Sequence, residues 1–419
     1  MIIIHGMTDQ QDASALPRLL QETLTEDLKV MPAVVVTGSR QTGKSTLVRD
    51  LVEPDSRRSY FTLDDLDIVD LARSNPDRLV RGPGAVTLDE VQREPDLLIA
   101  VKRAIDEARR PGRFVLTGSA NLLLMHKVSE SLAGRASYLT LWPMTRRERL
   151  GMGRAGLWDE LVETPDRDWA GMLDSQITEP DDLHASARRG GYPVPAVHLE
   201  TDDERAIWFD GYVRTYLERD LQDLSAISAL PEFRRLMVAA SHRIGQLLNQ
   251  TDLGRDVALP QPTVRRYLNL LETSYIIVKL QPFARNRSKR LIKSPKLYFA
   301  DTGLALRLAG EAHPGGQHLE NMVLADLLGW RESRRERPGI FYWRTATGEE
   351  VDFVIEAGNA LIPVEVKSTA HPRVADARHL ISFQDEYGGD SRSALLLHGG
   401  TRLEWITPSV LAAPWWRVV

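Results

Sequence analysis

Apolar and polar positions follow three different patterns along this 419-residue chain. In the first third, short apolar runs rich in β-branched residues alternate with stretches of helical spacing. The runs are AVVVT from residue 33, SYFTLDD at 59 to 65, AVTLDEV at 85 to 91, RFVLTGSAN at 113 to 121 and ASYLTLW from 136. Apolar strands separated by helices predict a parallel sheet. The middle is helical. From Ile207, IWFDGYVRTYLERDLQDL places Phe209, Val213, Tyr216, Leu217, Leu221 and Leu224 on one stripe, the mark of an amphipathic helix. Three short helical stretches follow, EFRRLMVAASHRIGQLL, TDLGRDV and LPQPTVRRYLNLLETS, and then two strand-like runs, YIIVKLQPF and KLYFAD. In the last third HLENMVLADLLGW is helical, and FYWRTATGEEVDFVIEAGNALIPVEVKST alternates as two or three strands around a Gly-Asn turn. The chain therefore reads as α/β, in four parts: 1–163, 164–228, 229–309 and 310–419. The acidic, Pro-containing TPDRDWAGMLDSQITEPDD at 164 to 182 reads as a joining region.

Composition narrows this picture. A hydrophobic fraction of 42% and a charged fraction of 26% belong to a globular chain, and the formal charge of −5 gives no general attraction to nucleic acid. Any surface for DNA must be local. With no cysteine, disulfides and thiolate zinc sites are excluded, and a cytoplasmic protein is the expectation. MIIIHGM is too short an apolar run for a signal peptide, and no run approaches the ~20 residues of a membrane span. No membrane partner is expected.

Chemistry concentrates first at residues 38 to 46. Gly38, Ser39, Arg40, Gln41, Thr42, Gly43, Lys44, Ser45 and Thr46 lie between a strand and a helix start, and fit GxxxxGK[ST]. Small residues let backbone N–H groups wrap phosphates, Lys44 reaches the β/γ oxygens, and Ser45 ligates Mg²⁺. ATP and Mg²⁺ are the expected cofactors. Asp89 and Glu90 end the next apolar strand but one, where one acid holds Mg²⁺ and the other orients or deprotonates the attacking water. Ser119 ends a further strand, placed to sense the γ-phosphate. Asp64 and Asp65 read as solvated acids outside the site.

This order of parts resembles the AAA+ ATPases. The resemblance implies that Arg135, just before the next strand, reaches a neighbouring subunit's nucleotide, and hence a homo-oligomer such as a hexameric ring. The competing reading pairs Arg135 locally with Glu130 or caps its helix.

The middle resembles a winged helix. That likeness implies that Thr263, Arg265 and Arg266 of its second helix face DNA. The loop ARNRSKRLIKSP supplies a basic wing, with Arg285, Arg287, Lys289, Arg290, Lys293 and Lys296 as six cations and no acid between them. In the last third, Glu365-x-Lys367 breaks the apolar strand LIPVEVKST with two charges on one face. With Asp352 on the preceding strand and Glu320 on the preceding helix, it resembles the PD-(D/E)xK nuclease arrangement. That resemblance implies Mg²⁺ on Asp352 and Glu365, an added ligand in Glu320, and Lys367 orienting or activating water. Glu349 or Glu350 competes with Asp352 as the relevant acid.

Taken whole, the chain resembles a bacterial and archaeal family of AAA+ (P-loop) ATPases with a C-terminal winged helix and a nuclease-like, restriction-endonuclease-type domain of unknown function. The resemblance rests on GSRQTGKST, TLDEVQ, LTGSAN, SLAGR, YLERD, LYFADTGL, GEEVDFVI and PVEVKS. Two functions stay open. One is an ATP-hydrolysing motor or remodeller of duplex or branched DNA, Holliday junctions included, that also cuts DNA. The other is a regulatory or defence protein whose DNA or partner binding is switched by nucleotide. Stimulation of ATP turnover by DNA separates them.

Overall fold

The computed structural model describes residues 15–52, 58–118, 132–176, 178–215, 230–286 and 294–419. Five strands, β1 (Ala33–Thr37), β2 (Ser59–Thr62), β3 (Val86–Asp89), β4 (Phe114–Thr117) and β5 (Ala136–Thr140), form a sheet in the order β2-β3-β4-β1-β5. Every neighbouring pair is parallel. β1, β3 and β4 are buried along their whole length, as strands covered on both faces must be, which is why their apolar runs are continuous rather than alternating. β1 shows the two faces directly. Val34 and Val36 join the cluster of Leu20, Leu24 and Leu28 from α1 (Leu20–Leu28), whereas Ala33 and Val35 join the cluster on the opposite side. The registers Val36↔Thr117 and Thr62↔Asp89 bring the carboxyl ends of these strands side by side, at the point where strand order reverses around β1. A crevice opens there in sheets of this kind.

Beyond the first sheet, α2 (Leu230–Ser241), α3 (Gln250–Asp256) and α4 (Gln261–Thr273) lead into the antiparallel pair β6 (Ile277–Leu280) and β7 (Lys296–Phe299). Asn249 starts α3 by accepting the N–H groups of Thr251 and Asp252 at 3.0 and 3.2 Å, and Pro262 sits in the first turn of α4, where a missing N–H costs nothing. α5 (Thr302–Ala309) and α6 (Gly316–Ser333) then precede a six-stranded sheet of β8 (Gly339–Arg344), β9 (Glu350–Ala357), β10 (Ala360–Lys367), β11 (Ala394–His398), β12 (Glu404–Thr407) and β13 (Val410–Pro414). Its order is β12-β13-β11-β10-β9-β8.

A single apolar cluster runs from Ala155 to Val419, taking in Phe233 of α2, Tyr267 of α4, Leu304 of α5, Leu324 of α6 and Phe353 of β9. The stretch at 164 to 182 belongs to it. It forms the helix Trp169–Ser175, buries Trp169 and Leu173 completely, and pairs Asp166 with Arg392, two residues before β11. Residues 216–229, with Tyr216, Leu217, Leu221 and Leu224 of the expected stripe, lie outside the described residues, while Phe209 is buried as that stripe requires. No helix among the described residues is long and apolar enough to cross a membrane.

Candidate functional site: a phosphate loop and a lysine-filled acidic cluster

The loop after β1 turns at two glycines. Gly38 has φ +143°, and a Cβ on it would stand 2.4 Å from the Leu141 carbonyl oxygen; Gly43 has φ +89°. Any other side chain at Gly38 would displace the backbone of β5's extension. Lys44, 4% exposed, folds its ammonium back onto the loop, where Nζ donates to the carbonyls of Gly38 at 3.1 Å and Ser39 at 2.8 Å. Burial lowers its pKa to about 8, against the opposing pull of Glu90 and Asp89. A glycine-turned loop holding a buried lysine that faces only carbonyls fits an incoming phosphate chain. Ser45 is half-buried beside it, and Arg40, Gln41 and Thr46 complete the outer rim.

The loop is braced from behind by a residue that motif reading missed. Arg18, buried before α1, donates Nη1 to the Thr42 carbonyl at 2.7 Å, Nη2 to the Trp142 carbonyl at 2.8 Å and Nε to Glu148 at 2.9 Å. Thr42 in turn donates its hydroxyl to the Ser39 carbonyl at 3.0 Å.

Asp89 and Glu90 sit at the end of β3 beside this loop. Both oxygens of buried Asp89 accept hydrogen bonds, Oδ2 from the Tyr60 hydroxyl at 2.6 Å and Oδ1 from the Thr117 hydroxyl. The same Thr117 oxygen accepts the Glu90 N–H at 3.2 Å. Burial, reinforced by Asp89, raises the Tyr60 phenol above its ordinary value, so it stays a donor. Glu90 has φ +58°, and its carboxylate accepts from the Gln92 amide. Ser119, expected beside them, lies outside the described residues. Thr117, two residues earlier, stands where a polar group was expected at the end of that strand.

Two other parts of the chain touch the loop. The Ser39 hydroxyl lies 3.2 Å from the Tyr192 hydroxyl, itself 3.1 Å from that of Tyr212, which donates to the Arg40 carbonyl at 3.4 Å. Thr37, the last residue of β1, meets the Tyr275 hydroxyl at 3.0 Å. Tyr275 follows α4 directly, with φ +55° and its ring edge-on to Trp142. Among the described residues, Gln41, Glu90, Ala258 and Tyr275 are the non-glycines with positive φ. Three of them belong to this loop or its neighbours, and such strain gathers at working sites.

Arg135 is on the surface in a two-point ion pair with Asp106, at 2.6 and 3.0 Å. Within one chain its guanidinium is thus held locally by Asp106, while Glu130 lies outside the described residues.

The acidic residues of the last third come together in part. Glu365 and Lys367 do share a face of β10, with Nζ 2.5 Å from Oε1. Asp352 Oδ2 accepts the Val366 N–H at 2.9 Å. Of the three acids expected to hold Mg²⁺, Glu320 and Asp352 face an ammonium and Glu365 pairs with Lys367. Lys296 of β7, 1% exposed, places Nζ 2.5 Å from Glu350, 3.4 Å from Asp352 and 3.9 Å from Glu320. No group of three or more His, Cys, Asp or Glu among the described residues is placed to hold a metal ion. Burial and the neighbouring Asp352 push Glu320 and Glu365 up to about 8.

Lys296, expected in the basic wing, is instead buried against these acids. The signal lay in the apolar run after it: a lysine opening a strand buried on both faces needs an internal partner. Arg287, Lys289, Arg290 and Lys293 lie outside the described residues, and Arg285 pairs at 2.9 Å with Asp390, in the short turn before β11. On α4, Arg265 and Arg266 are exposed and Thr263 half-buried. Arg265 lines an open groove of about 1130 Å³ with Asn249, Gln261, Asn269 and Lys279.

Comparison with known proteins agrees with the first sheet and its loop. Residues 31–150 match the family described as AAA domain, 180–314 the Domain of unknown function (DUF8612), and 315–417 the Domain of unknown function (DUF4143). The uncharacterized protein Rv2008c of Mycobacterium tuberculosis is 32% identical over 378 residues, covering 88% of this chain and 76% of that one. An uncharacterized protein of Haemophilus influenzae is 21% identical, covering 65% and 63%. Among solved structures, the Walker-type ATPase of Pyrococcus abyssi is 15% identical with a TM-score of 0.42, covering 69% of this chain and 94% of that one, a likeness too loose to argue from. On the identity and coverage with the mycobacterial protein, and on the glycine-turned loop with its buried lysine, the chain belongs to the Rv2008c family, and its residues 31–150 are an AAA domain of the P-loop ATPase type.

Proposed function

We propose that the chain is an ATP-hydrolysing remodeller of duplex or branched DNA, in which the nucleotide loop is mechanically joined to a winged-helix DNA-binding unit. The observation that carries this reading is the 3.0 Å contact between the Thr37 and Tyr275 hydroxyls. Thr37 opens the phosphate loop and Tyr275 closes α4, so a change at the phosphates has one hydrogen bond to cross before it reaches the exposed Arg265 and Arg266. α3 and α4 form the helix pair, β6 and β7 the wing, and Thr263, Arg265 and Arg266 are the groups assigned to DNA. The wing cations Arg287, Lys289, Arg290 and Lys293 add phosphate contacts that carry no sequence preference.

At the loop, Lys44 takes the β/γ-phosphate charge and Glu90 orients the attacking water and accepts its proton. Ser45 and Asp89 would hold Mg²⁺, which when bound neutralises the phosphate oxygens. Tyr60 and Thr117 fix the Asp89 carboxylate by hydrogen bonds to both oxygens. Arg135, released from Asp106, serves a neighbouring copy's nucleotide in a homo-oligomeric ring. No cleavage is assigned to the last sheet, since Asp352 and Glu320, two of the acids expected to take Mg²⁺, face a buried lysine.

The test is ATP turnover with and without linear and four-way-junction DNA, for wild type, Glu90→Gln and Tyr275→Phe. DNA is expected to raise wild-type turnover several-fold. Glu90→Gln should bind ATP without hydrolysing it, and Tyr275→Phe should keep DNA-free turnover while losing the stimulation. Turnover indifferent to DNA would make the protein a nucleotide switch rather than a motor, and stimulation intact in Tyr275→Phe would put the coupling elsewhere.

A further inference from the structure

The partners of each acid around Lys296 define what that cluster is. Asp352 spends Oδ2 on the Val366 N–H and turns Oδ1 toward the ammonium. Glu350 gives the same ammonium its shortest contact, and its other oxygen accepts from Arg344 at 2.8 Å. Glu320 accepts the Tyr298 hydroxyl at 3.1 Å. Glu365 is committed through Oε1 to Lys367, and its Oε2 is buried with no hydrogen-bond partner. Glu365 Oε2 is thus a buried oxygen left without a partner, while Asp352 and Glu350 already face the Lys296 ammonium.

Lys296 is fixed where it stands. Its backbone pairs with Leu280 across the hairpin and bridges to Leu247, and the Tyr342 ring lies 5.8 Å from Nζ. Its stem is closed off from solvent. A divalent ion bound by Asp352 and Glu320 would need oxygens about 2.1 Å away for Mg²⁺, in a space where a unit positive charge already sits against those same oxygens.

We infer that Lys296 is a resident cation of the C-terminal sheet: it satisfies the acidic cluster in place of a divalent metal and pins the hairpin strand β7 to β9 and α6. In this role the cluster is an internal ion-pair junction between two parts of the chain, and Mg²⁺ serves the phosphate loop alone. The acidic residue types and their order, which suggest a metal centre, are here answered from within the chain.

The experiment is Mn²⁺ binding to the nucleotide-free full-length chain, read from the electron paramagnetic resonance of the free ion. Wild type and Asp352→Asn are expected to give the same isotherm. Lys296→Met, which keeps the stem and removes the charge, should gain one Mn²⁺ bound about tenfold or more tightly than any in wild type, and should lose it again when Asp352→Asn is added. An Asp352-dependent Mn²⁺ in wild type overturns the inference, and so does a folded Lys296→Met chain with the wild-type isotherm. If Lys296→Met folds only when Mn²⁺ is supplied, the metal has taken the lysine's place and the inference stands. If it folds under neither condition, the comparison of wild type with Asp352→Asn decides alone, with near-ultraviolet circular dichroism confirming that both are folded.

Discussion

Two buried lysines, Lys44 in the phosphate loop and Lys296 in the acidic cluster, carry the same charge in opposite circumstances. Both are almost wholly withdrawn from water. Lys44 faces the carbonyls of its own loop, and burial wins: its pKa falls to about 8 despite Glu90 and Asp89. Lys296 suffers the same burial, but Asp352, Glu320 and Glu350 more than reverse it and raise its pKa above the ordinary value. The difference teaches what each charge is for. Dipoles alone leave a buried ammonium incompletely compensated, so Lys44 gains most from an anion arriving from outside. Lys296 already has its anions.

The comparison breaks first at catalysis. Lys44→Ala is expected to cut ATP turnover by about 10³-fold or more, the scale of losing a cation that stabilises phosphoryl transfer, while the chain stays folded; wild-type turnover in that variant would strike Lys44 from the site. Next in size, Lys296→Ala strips the cluster of its cation and should destabilise the fold by about 3–5 kcal/mol. Denaturant midpoints measure this, and a loss no larger than that of Lys44→Ala would erase the distinction. The smallest effect, and the sharpest, is on pH. Lys44 binds phosphate only while charged, and its pKa in the free chain is lowered to about 8. ATP affinity should therefore hold below pH 8 and weaken above it, by up to about tenfold per unit. Lys296, with its pKa raised, stays charged over the same range. Affinity that is flat to pH 10 would contradict the lowered value.

Much of the first site was legible because its groups are contiguous. Gly38 to Thr46 announce themselves as one string, and Asp89 and Glu90 end a strand of the right kind. What positions them was not. Tyr60, Thr117 and Arg18 reach the site through strand register and through a bond spanning 130 residues to Glu148, and no local spacing encodes either. In the last third the shared face of Glu365 and Lys367 was readable from the period of a strand. Lys296 was not, because it sat at the edge of a basic run and took its meaning from neighbours in sequence instead of from the apolar strand it opens. The packing of the stretch at 164 to 182 was hidden for a related reason. Its average composition is acidic and polar, while its structure depends on Trp169 and Leu173, two residues at helical spacing that the average hides.

The apolar cluster that joins residues from Ala155 to Val419 has a consequence for how this chain can be divided. Two inherited segments meet at residues 314 and 315, yet Leu304 before that seam and Leu319, Val323 and Phe353 after it share one oil-filled interior. Severed at the seam, each half would carry a raw greasy face into water. A protease or a gene fusion that respects the borders of heredity would thus cut through the middle of a physical object, and the two segments are expected to melt in one step, as a single calorimetric peak.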